Sequence, residues 1–349
     1  KKNLIKKDWI NYAQVYIIDI MLIDPYKRPV NYLRVSVTDR CDFRCQYCMA
    51  ENMKFLPKKD LLSLDEIERI CVTFINLGTK KIRITGGEPL VRKNVMSLFK
   101  NLGQLILKEK LSELTLTTNG SQLEKYAEQL FEYGVRRVNV SIDTLKPKLF
   151  RDLTRRGDLD QVIKGIEKAL AVGLKIKLNT VALKETNEFE LADILKWAHS
   201  KNCDITFIET MPLGEIDIDR TDQFLPLSKV KETLSKKYTL KSSKHYTGGP
   251  SRYFNIEETG HRVGFITPLT HNFCELCNRV RLTCTGKLYM CLGQEDSADF
   301  TNAARSSNWE FDLKNAIVEA ISRKPKGHDF VIRRKHSPSV NRHMSVTGG

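Results

Sequence analysis

SLDEIERICVTFINLGTKKIRIT, residues 63–85, holds one complete unit of the pattern on which the fold rests. Ser63 followed by Glu66 is a capping box that starts a helix, and Leu64, Ile67, Ile70, Cys71, Phe74 and Ile75 then recur at helical spacing. Gly78 ends that helix, since glycine takes the left-handed conformation past a helix end at little cost. Lys81-Ile82-Arg83-Ile84-Thr85 follows as a strand.

Working outward, β-rich segments separated by helical patterns recur between Tyr32 and Met211. The strands predicted are Tyr32–Val37, Lys81–Thr85, Glu113–Thr118, Arg136–Ile142, Leu174–Leu183 and Asp204–Met211, with Gly134 and Gly173 in the turns that lead into strands. Six units rather than the eight of a closed barrel predict an α/β fold, an incomplete (β/α)6 TIM-like barrel whose strand C-termini hold the chemistry. Beyond Met211 the pattern changes. Pro212 to Pro226 reads as a loop, Leu227 to Tyr238 as a helix, and Tyr253 to Thr267 as a hairpin turning near Gly260. A cysteine-bearing segment and a basic tail follow. The expected division is residues 1–20 as a leader or upstream extension outside the core, 21–215 as the partial barrel, and 216–349 as a region closing its open side.

Composition sets the outer limits. The 349 residues carry 57 Lys and Arg against 42 Asp and Glu, a net charge of +15, and are 41% hydrophobic. That balance excludes disordered and collagen-like chains and predicts an anionic partner: a nucleic acid, a phosphate-bearing molecule or a membrane surface. The apolar run Val15 to Ile23 is interrupted by Asp19 and is far short of the roughly 20 residues of a membrane span. Lys1 to Lys7 is basic, but Asp8 and Asp19 fit poorly with an organellar leader. Nine cysteines, an odd number in a chain this long, do not make a disulfide framework.

Six of those cysteines fall into two sets. Cys41, Cys45 and Cys48 form C-x3-C-x2-C directly after the first strand, and Cys274, Cys277 and Cys291 form C-x2-C-x13-C near the other end. A structural zinc takes four ligands and a 4Fe-4S cluster has four irons, so three thiolates leave one coordination position open for chemistry. A zinc site with a distant fourth ligand is the alternative. Gly86-Gly87-Glu88-Pro89 ends the second strand. The paired glycines allow close backbone approach and Glu88 can accept from an ammonium, although any tight turn could have this sequence. Arg279 and Arg281 flank the second cysteine set, and their rigid forks suit phosphate oxygens, though in so basic a chain both could equally be solvated surface. Arg34, Arg83 and Lys177, each within a strand, fit an anion better than a packed core. Cys71 falls on an apolar helix face, while Cys203 and Cys284 have no partner at ligand spacing. The histidines form no repeated motif.

The first cysteine set one strand before Gly-Gly-Glu-Pro resembles the radical S-adenosylmethionine superfamily. NYLRVSVTDRC (31–41), KIRITGGEP (81–89), TTNG (117–120), NVSID (139–143), FCELCNRVR (273–281) and Gly348-Gly349 resemble, within it, the GTP 3′,8-cyclase family of molybdenum cofactor biosynthesis. The resemblance runs from Met21 to Gly349.

It implies two 4Fe-4S clusters, with Cys41, Cys45 and Cys48 holding the first and Cys274, Cys277 and Cys291 the second, in the C-terminal iron-sulfur region. Tyr47, Gly87, Ser141 and Met211 take the S-adenosylmethionine positions. Arg34, Arg83, Thr117, Lys177, Arg279 and Arg281 take the GTP positions, and the paired-glycine tail enters the cavity. Cys41, Cys45, Cys48, Arg279 and Arg281 are then the catalytic set. The implied reaction cleaves S-adenosylmethionine to a 5′-deoxyadenosyl radical, which removes the ribose 3′ hydrogen of GTP so that this carbon attacks C8. The product is 3′,8-cyclo-7,8-dihydro-GTP.

The expected partners are GTP, an electron donor such as flavodoxin or ferredoxin, and cyclic pyranopterin monophosphate synthase as the pathway neighbour. Neither membrane nor nucleic acid is expected, and the chain is a monomer or homodimer. It is cytoplasmic if bacterial, or in the mitochondrial matrix or another organelle if eukaryotic. Thr206 and Ala50 depart from the family pattern, where arginine and proline are usual. Two rivals share part of this pattern: a radical S-adenosylmethionine peptide maturase with an auxiliary cluster, and a zinc-bearing nucleic-acid binder using the basic segment Arg323 to Arg342.

Overall fold

The computed structural model describes residues 21–348 apart from 217, 272 and 335–337, so the leader and Gly349 lie outside the described residues. Strands and helices alternate as β1 (Tyr32–Ser36), α1 (Leu64–Asn76), β2 (Lys81–Thr85), α2 (Val95–Leu107), β3 (Glu113–Thr118), α3 (Leu123–Glu132), β4 (Arg137–Ser141), α4 (Pro147–Thr154), α5 (Leu159–Ala171), β5 (Lys175–Val181), α6 (Leu191–Ser200) and β6 (Asp204–Ile208). The capping box forms at α1: Ser63 Oγ accepts from Glu66 N at 3.1 Å, and Glu66 Oε2 accepts from Ser63 N at 2.6 Å. It is worth about 1 kcal/mol. The inner face of α1, with Ile67, Ile70, Cys71 and Phe74 fully buried, joins the core between helices and sheet.

After β6 come α7 (Arg220–Gln223), α8 (Leu227–Ser235), β7 (Leu240–Ser242), β8 (Arg252–Ile256), β9 (Arg262–Ile266), β10 (Arg279–Leu282), β11 (Lys287–Tyr289), β12 (Ser297–Asp299), α9 (Thr301–Arg305), α10 (Trp309–Ser322) and α11 (Met344–Thr347). All twelve strands form one open sheet in the order β12-β11-β10-β1-β2-β3-β4-β5-β6-β9-β8-β7. The six parallel strands expected from the sequence are its centre. The later chain adds to both edges: β9 pairs parallel with β6, and β10 parallel with β1. The expected hairpin is present as β8 and β9, with Gly260 at its turn. It also extends the barrel wall, a pairing the local pattern does not encode.

Register determines what faces inward. Arg281, Arg34 and Arg83 stand side by side on β10, β1 and β2, with Arg279, Tyr32 and Lys81 aligned two residues earlier. Because alternate residues share a face, both rows point to the same side. The C-terminal chain crosses the barrel mouth, where Gly214 N donates to Val340 O at 2.8 Å. The basic segment near the end is tied into the protein: Arg323 pairs with Asp296 and Glu319, Arg334 with Asp222, and Arg342 with Glu295 and three backbone carbonyls. Among the described residues, no helix is long and apolar enough to cross a membrane.

Candidate active site

Two of the protein's cavities lie side by side in the barrel. The first, of about 190 Å³, lies at the C-terminal ends of the strands and is lined by Cys41, Cys45 and Cys48 together with Tyr47, Gly87, Thr117, Ser141 and Met211. The loop carrying the thiols is held in place by its neighbours. Asp42 accepts from Asn119 Nδ2 at 2.7 Å and Ser121 Oγ at 2.6 Å, while Arg44 and Gln46 donate backbone N–H groups to Thr154 O and Leu153 O. Burial raises all three thiols, Cys48 to about 11 and the others further. Such thiols become thiolates only by exchanging the proton for a metal, whose binding then compensates their burial.

Gly86 and Gly87 are required by close approach. A Cβ on Gly87 would overlap the Arg40 carbonyl and lie 2.7 Å from Asp39 O, on the segment entering the cysteine loop. Glu88 differs from the sequence expectation, since it does not line the cavity. Its carboxylate is fully buried and accepts from Asn119 N at 2.6 Å, Thr118 Oγ1 at 2.8 Å and Leu90 N at 3.0 Å. Burial raises it to about 8 despite those donors. Its role is to join the ends of β2 and β3.

Asp143 ends the segment NVSID, but the sequence reading gives it no role. It lines the first cavity, accepts from Tyr47 Oη at 2.6 Å and Val181 N at 2.8 Å, and is raised to about 6 by burial. The signal was the alternation Asn139, Ser141, Asp143 along one face of β4 and its exit.

The second cavity, of about 130 Å³, is lined by Arg34, Arg83, Lys177, Arg279 and Arg281, and also by Cys274, Cys277 and Cys291. Among the described residues no carboxylate lines it. The cations show the strain of their confinement. Burial, then Arg281, lowers Arg34; burial, then Arg83, lowers Lys177; burial, then Arg279, takes Arg281 down to about 10. For Tyr32 beside them, burial acts upward but is outweighed by Arg83, Arg34, Lys81 and Arg279, leaving it at about 8. Cys277 behaves likewise, brought to about 7 because Arg279 and Lys324 outweigh burial. Buried cations crowded into one cavity, with no carboxylate among its described lining, suit a polyanion.

Thr117 lines the first cavity rather than the second, but accepts from Arg83 Nη1 at 3.4 Å and so links the two. Asn179, Ile208, Met211 and Met344 belong to both walls. From the C-terminal tail, Met344 and Ser345 reach the first cavity, and Gly348 O accepts from Arg281 Nη1 at 2.8 Å. His328, one of the histidines that form no motif in the sequence, lines the second cavity between Phe273 and Phe330. Thr206 is fully buried on β6 and does not line either cavity. Cys71, Cys203 and Cys284 are fully buried in the core.

The second cysteine loop is anchored from far away in the chain. Arg28 donates to Asp24 Oδ2 at 2.6 Å, to Cys274 O and Lys326 O at 2.7 Å, and to Pro325 O at 2.6 Å. Among the described residues, no three His, Cys, Asp or Glu side chains converge closely enough to hold a single metal ion. An iron-sulfur cluster does not require that convergence, because each thiolate takes a separate iron.

Comparison with known proteins identifies the family. Residues 35–198 match the sequence model of the Radical SAM superfamily, and residues 203–330 that of Molybdenum Cofactor Synthesis C. GTP 3′,8-cyclase of Brucella ovis is 61% identical over 329 residues, covering 94% of this chain and 96% of that protein. The protein of the same name from Rhizobium etli is 63% identical, with 94% of each chain covered. Among solved structures, Streptococcus suis SuiB aligns with a TM-score of 0.57 at 18% identity, over 92% of this chain and 78% of SuiB. That likeness concerns the fold alone. On the strength of the two cyclases, the chain belongs to the GTP 3′,8-cyclase family of radical S-adenosylmethionine enzymes.

Proposed function

We propose that the protein converts GTP to (8S)-3′,8-cyclo-7,8-dihydroguanosine 5′-triphosphate, the entry reaction of molybdenum cofactor biosynthesis. The observation that carries this reading is a cavity lined by five cations and, among the described residues, by no carboxylate, which shares part of its wall with a three-cysteine cavity at the barrel mouth. S-adenosylmethionine and one 4Fe-4S cluster come with the radical S-adenosylmethionine family. Cys41, Cys45 and Cys48 would hold that cluster, with Tyr47, Gly87, Ser141 and Met211 around S-adenosylmethionine. Cys274, Cys277 and Cys291 would hold a second cluster. When bound, the first cluster and S-adenosylmethionine supply a carbon-centred radical by one-electron cleavage.

The protein's own groups provide position and exclusion. Arg34, Arg83, Lys177, Arg279 and Arg281 bind the triphosphate, whose charge relieves their mutual repulsion. Removing one such contact costs about 1.5–3 kcal/mol, or roughly 10- to 100-fold in the GTP dissociation constant. Ile208, Met211 and Met344 form an apolar junction where the two cavities meet, and they keep water from the reacting carbon. Fixing one C–H bond there lets the hydrogen leave C3′ and the new bond join C3′ to C8. Tyr47, hydrogen-bonded to Asp143, stiffens the loop between the first and third thiols. The electron donor is a small redox protein such as flavodoxin or ferredoxin.

The test is anaerobic reconstitution with iron and sulfide, then incubation with S-adenosylmethionine, GTP and dithionite. 5′-Deoxyadenosine should form only with GTP, and GTP deuterated at C3′ should pass its label to it. Release of 5′-deoxyadenosine with no nucleotide dependence would refute the substrate assignment. About eight irons per chain support two clusters, whereas stoichiometric zinc would support a zinc-bearing binder.

A further inference from the structure

We propose that Asn179 is a positioning residue that accepts a hydrogen bond from the substrate's 3′-hydroxyl, beside the C–H bond that is broken; this rests on the GTP reading above. The inward face of β5 passes through both cavities in order. Lys177 lines only the second, Asn179 lines both, and Val181 lines only the first. Alternate residues of a strand are roughly 6.6 Å apart, so Asn179 stands one step from the phosphate-binding cations toward the cysteines.

Among the described residues, the two walls share Asn179, Ile208, Met211 and Met344, of which Asn179 alone is polar. Its Oδ1 is buried and has no hydrogen-bond partner. A buried acceptor left in that state costs about 1–3 kcal/mol, which a ligand's donor would relieve. A nucleoside triphosphate brings few donors to this depth. Its phosphates are acceptors, and the N–H groups of guanine are on the ring edge farthest from the sugar. The sugar hydroxyls remain, and they adjoin the reacting carbon.

Two effects follow from that one bond. It fixes the sugar's rotation, so that C3′ rather than C2′ faces the cofactor cavity. It also raises electron density on the hydroxyl oxygen, which weakens the adjoining C–H bond toward loss of a hydrogen atom. The hydroxyl proton stays on its oxygen, and Asn179 takes up neither proton nor electron.

The experiment compares equilibrium binding of GTP, 3′-deoxy-GTP and S-adenosylmethionine to anaerobically reconstituted wild-type, Asn179→Ala and Asn179→Asp enzymes. The wild type should bind GTP about 5- to 10-fold more tightly than 3′-deoxy-GTP, the scale of one neutral hydrogen bond. Asn179→Ala should bind the two equally, while Asn179→Asp, which keeps an acceptor, should still discriminate. S-adenosylmethionine affinity should change less than twofold. An unchanged ratio in Asn179→Ala overturns the proposal. So does weakened S-adenosylmethionine binding with the ratio intact, since the acceptor would then serve that cofactor's sugar. If Asn179→Ala does not retain its iron, Asn179→Val is compared in the same way. A wild type that fails to bind GTP refutes the substrate reading instead.

Discussion

Replacing Arg28 with methionine tests how the second cysteine loop is held. Arg28 is 6% exposed, and its guanidinium makes four contacts of 2.6–2.7 Å: one to Asp24 and three to backbone carbonyls, including that of Cys274. Methionine fills much of the volume but leaves Asp24, which is 4% exposed, without its main counter-charge. Breaking one side of a buried ion pair costs about 3–5 kcal/mol. Asp24 keeps the Tyr26 and Arg28 backbone N–H groups and has Lys324 Nζ at 3.8 Å, so the lower half of that range, about 3 kcal/mol, is expected. The loss is local, because three of the four contacts hold the segments Cys274 and Pro325–Lys326. In metal-free protein, alkylation of Cys274 should accelerate roughly 10- to 100-fold, following local opening, while Cys41, Cys45 and Cys48 keep their rates. Adding Asp24→Asn should recover part of the stability, as the uncompensated carboxylate is gone. A urea-midpoint change below about 1 kcal/mol with unaltered Cys274 alkylation would refute the clamp.

Three other changes test other parts of the structure. Lys177→Met should raise the melting temperature of the nucleotide-free protein, because it removes a buried cation facing Arg83, yet weaken GTP binding by roughly 10- to 100-fold; calorimetry of both quantities checks it. Gly87→Ala forces the Asp39–Arg40 backbone aside at a cost of about 1–3 kcal/mol, and iron analysis should show about four rather than eight irons after reconstitution, with the first site the one lost. The pH dependence of stability should contain a histidine component from His199, lowered by burial from 6.5 to about 4. Its Nε2 faces Arg262 O at 3.3 Å and Nδ1 meets Thr259 Oγ1 at 2.8 Å, a pairing that suits the neutral ring. The unfolded chain therefore binds the extra proton first. The contribution is full above pH 6.5 and lost as pH falls toward 4, on the order of 2 kcal/mol after solvent screening. His199→Gln should flatten urea-midpoint profiles in that window.

The sequence showed the central six strands because each βα unit carries its own signals, as Ser63, Glu66 and Gly78 do for α1. It could not show the outer wall. β10, β11 and β12 have only three or four residues each, too few for a period to emerge, and the pairing of β9 with β6 is fixed by tertiary packing. The cysteine sets stood out because thiol spacing is local. The joining of Arg34, Arg83 and Lys177 with Arg279 and Arg281 depends on β10 closing against β1, which spacing along the chain does not encode. Asn179 and Asp143 were hidden for a different reason. Asparagine and aspartate within or just after a strand are ordinary residues until the unmet acceptor or the buried carboxyl is seen. The partners of the basic tail were equally hidden, since Arg323, Arg334 and Arg342 meet the carboxylates of Asp296, Asp222 and Glu295 only in the folded chain.

The pairing of β1 with β10 also has a kinetic side. Tyr32 adds to the sheet beside Arg279, and Arg28 reaches Cys274 across 246 residues of chain. Contacts this distant in sequence form slowly, because a long loop must close before they return any stabilisation. Until β10 arrives, β1 is an unprotected edge whose buried pattern, Tyr32 to Ser36, offers a template for pairing with other chains. Folding intermediates should therefore aggregate through β1. Chaperone dependence and low soluble yield at high expression temperature would be expected consequences of the same closure that builds the cation cluster.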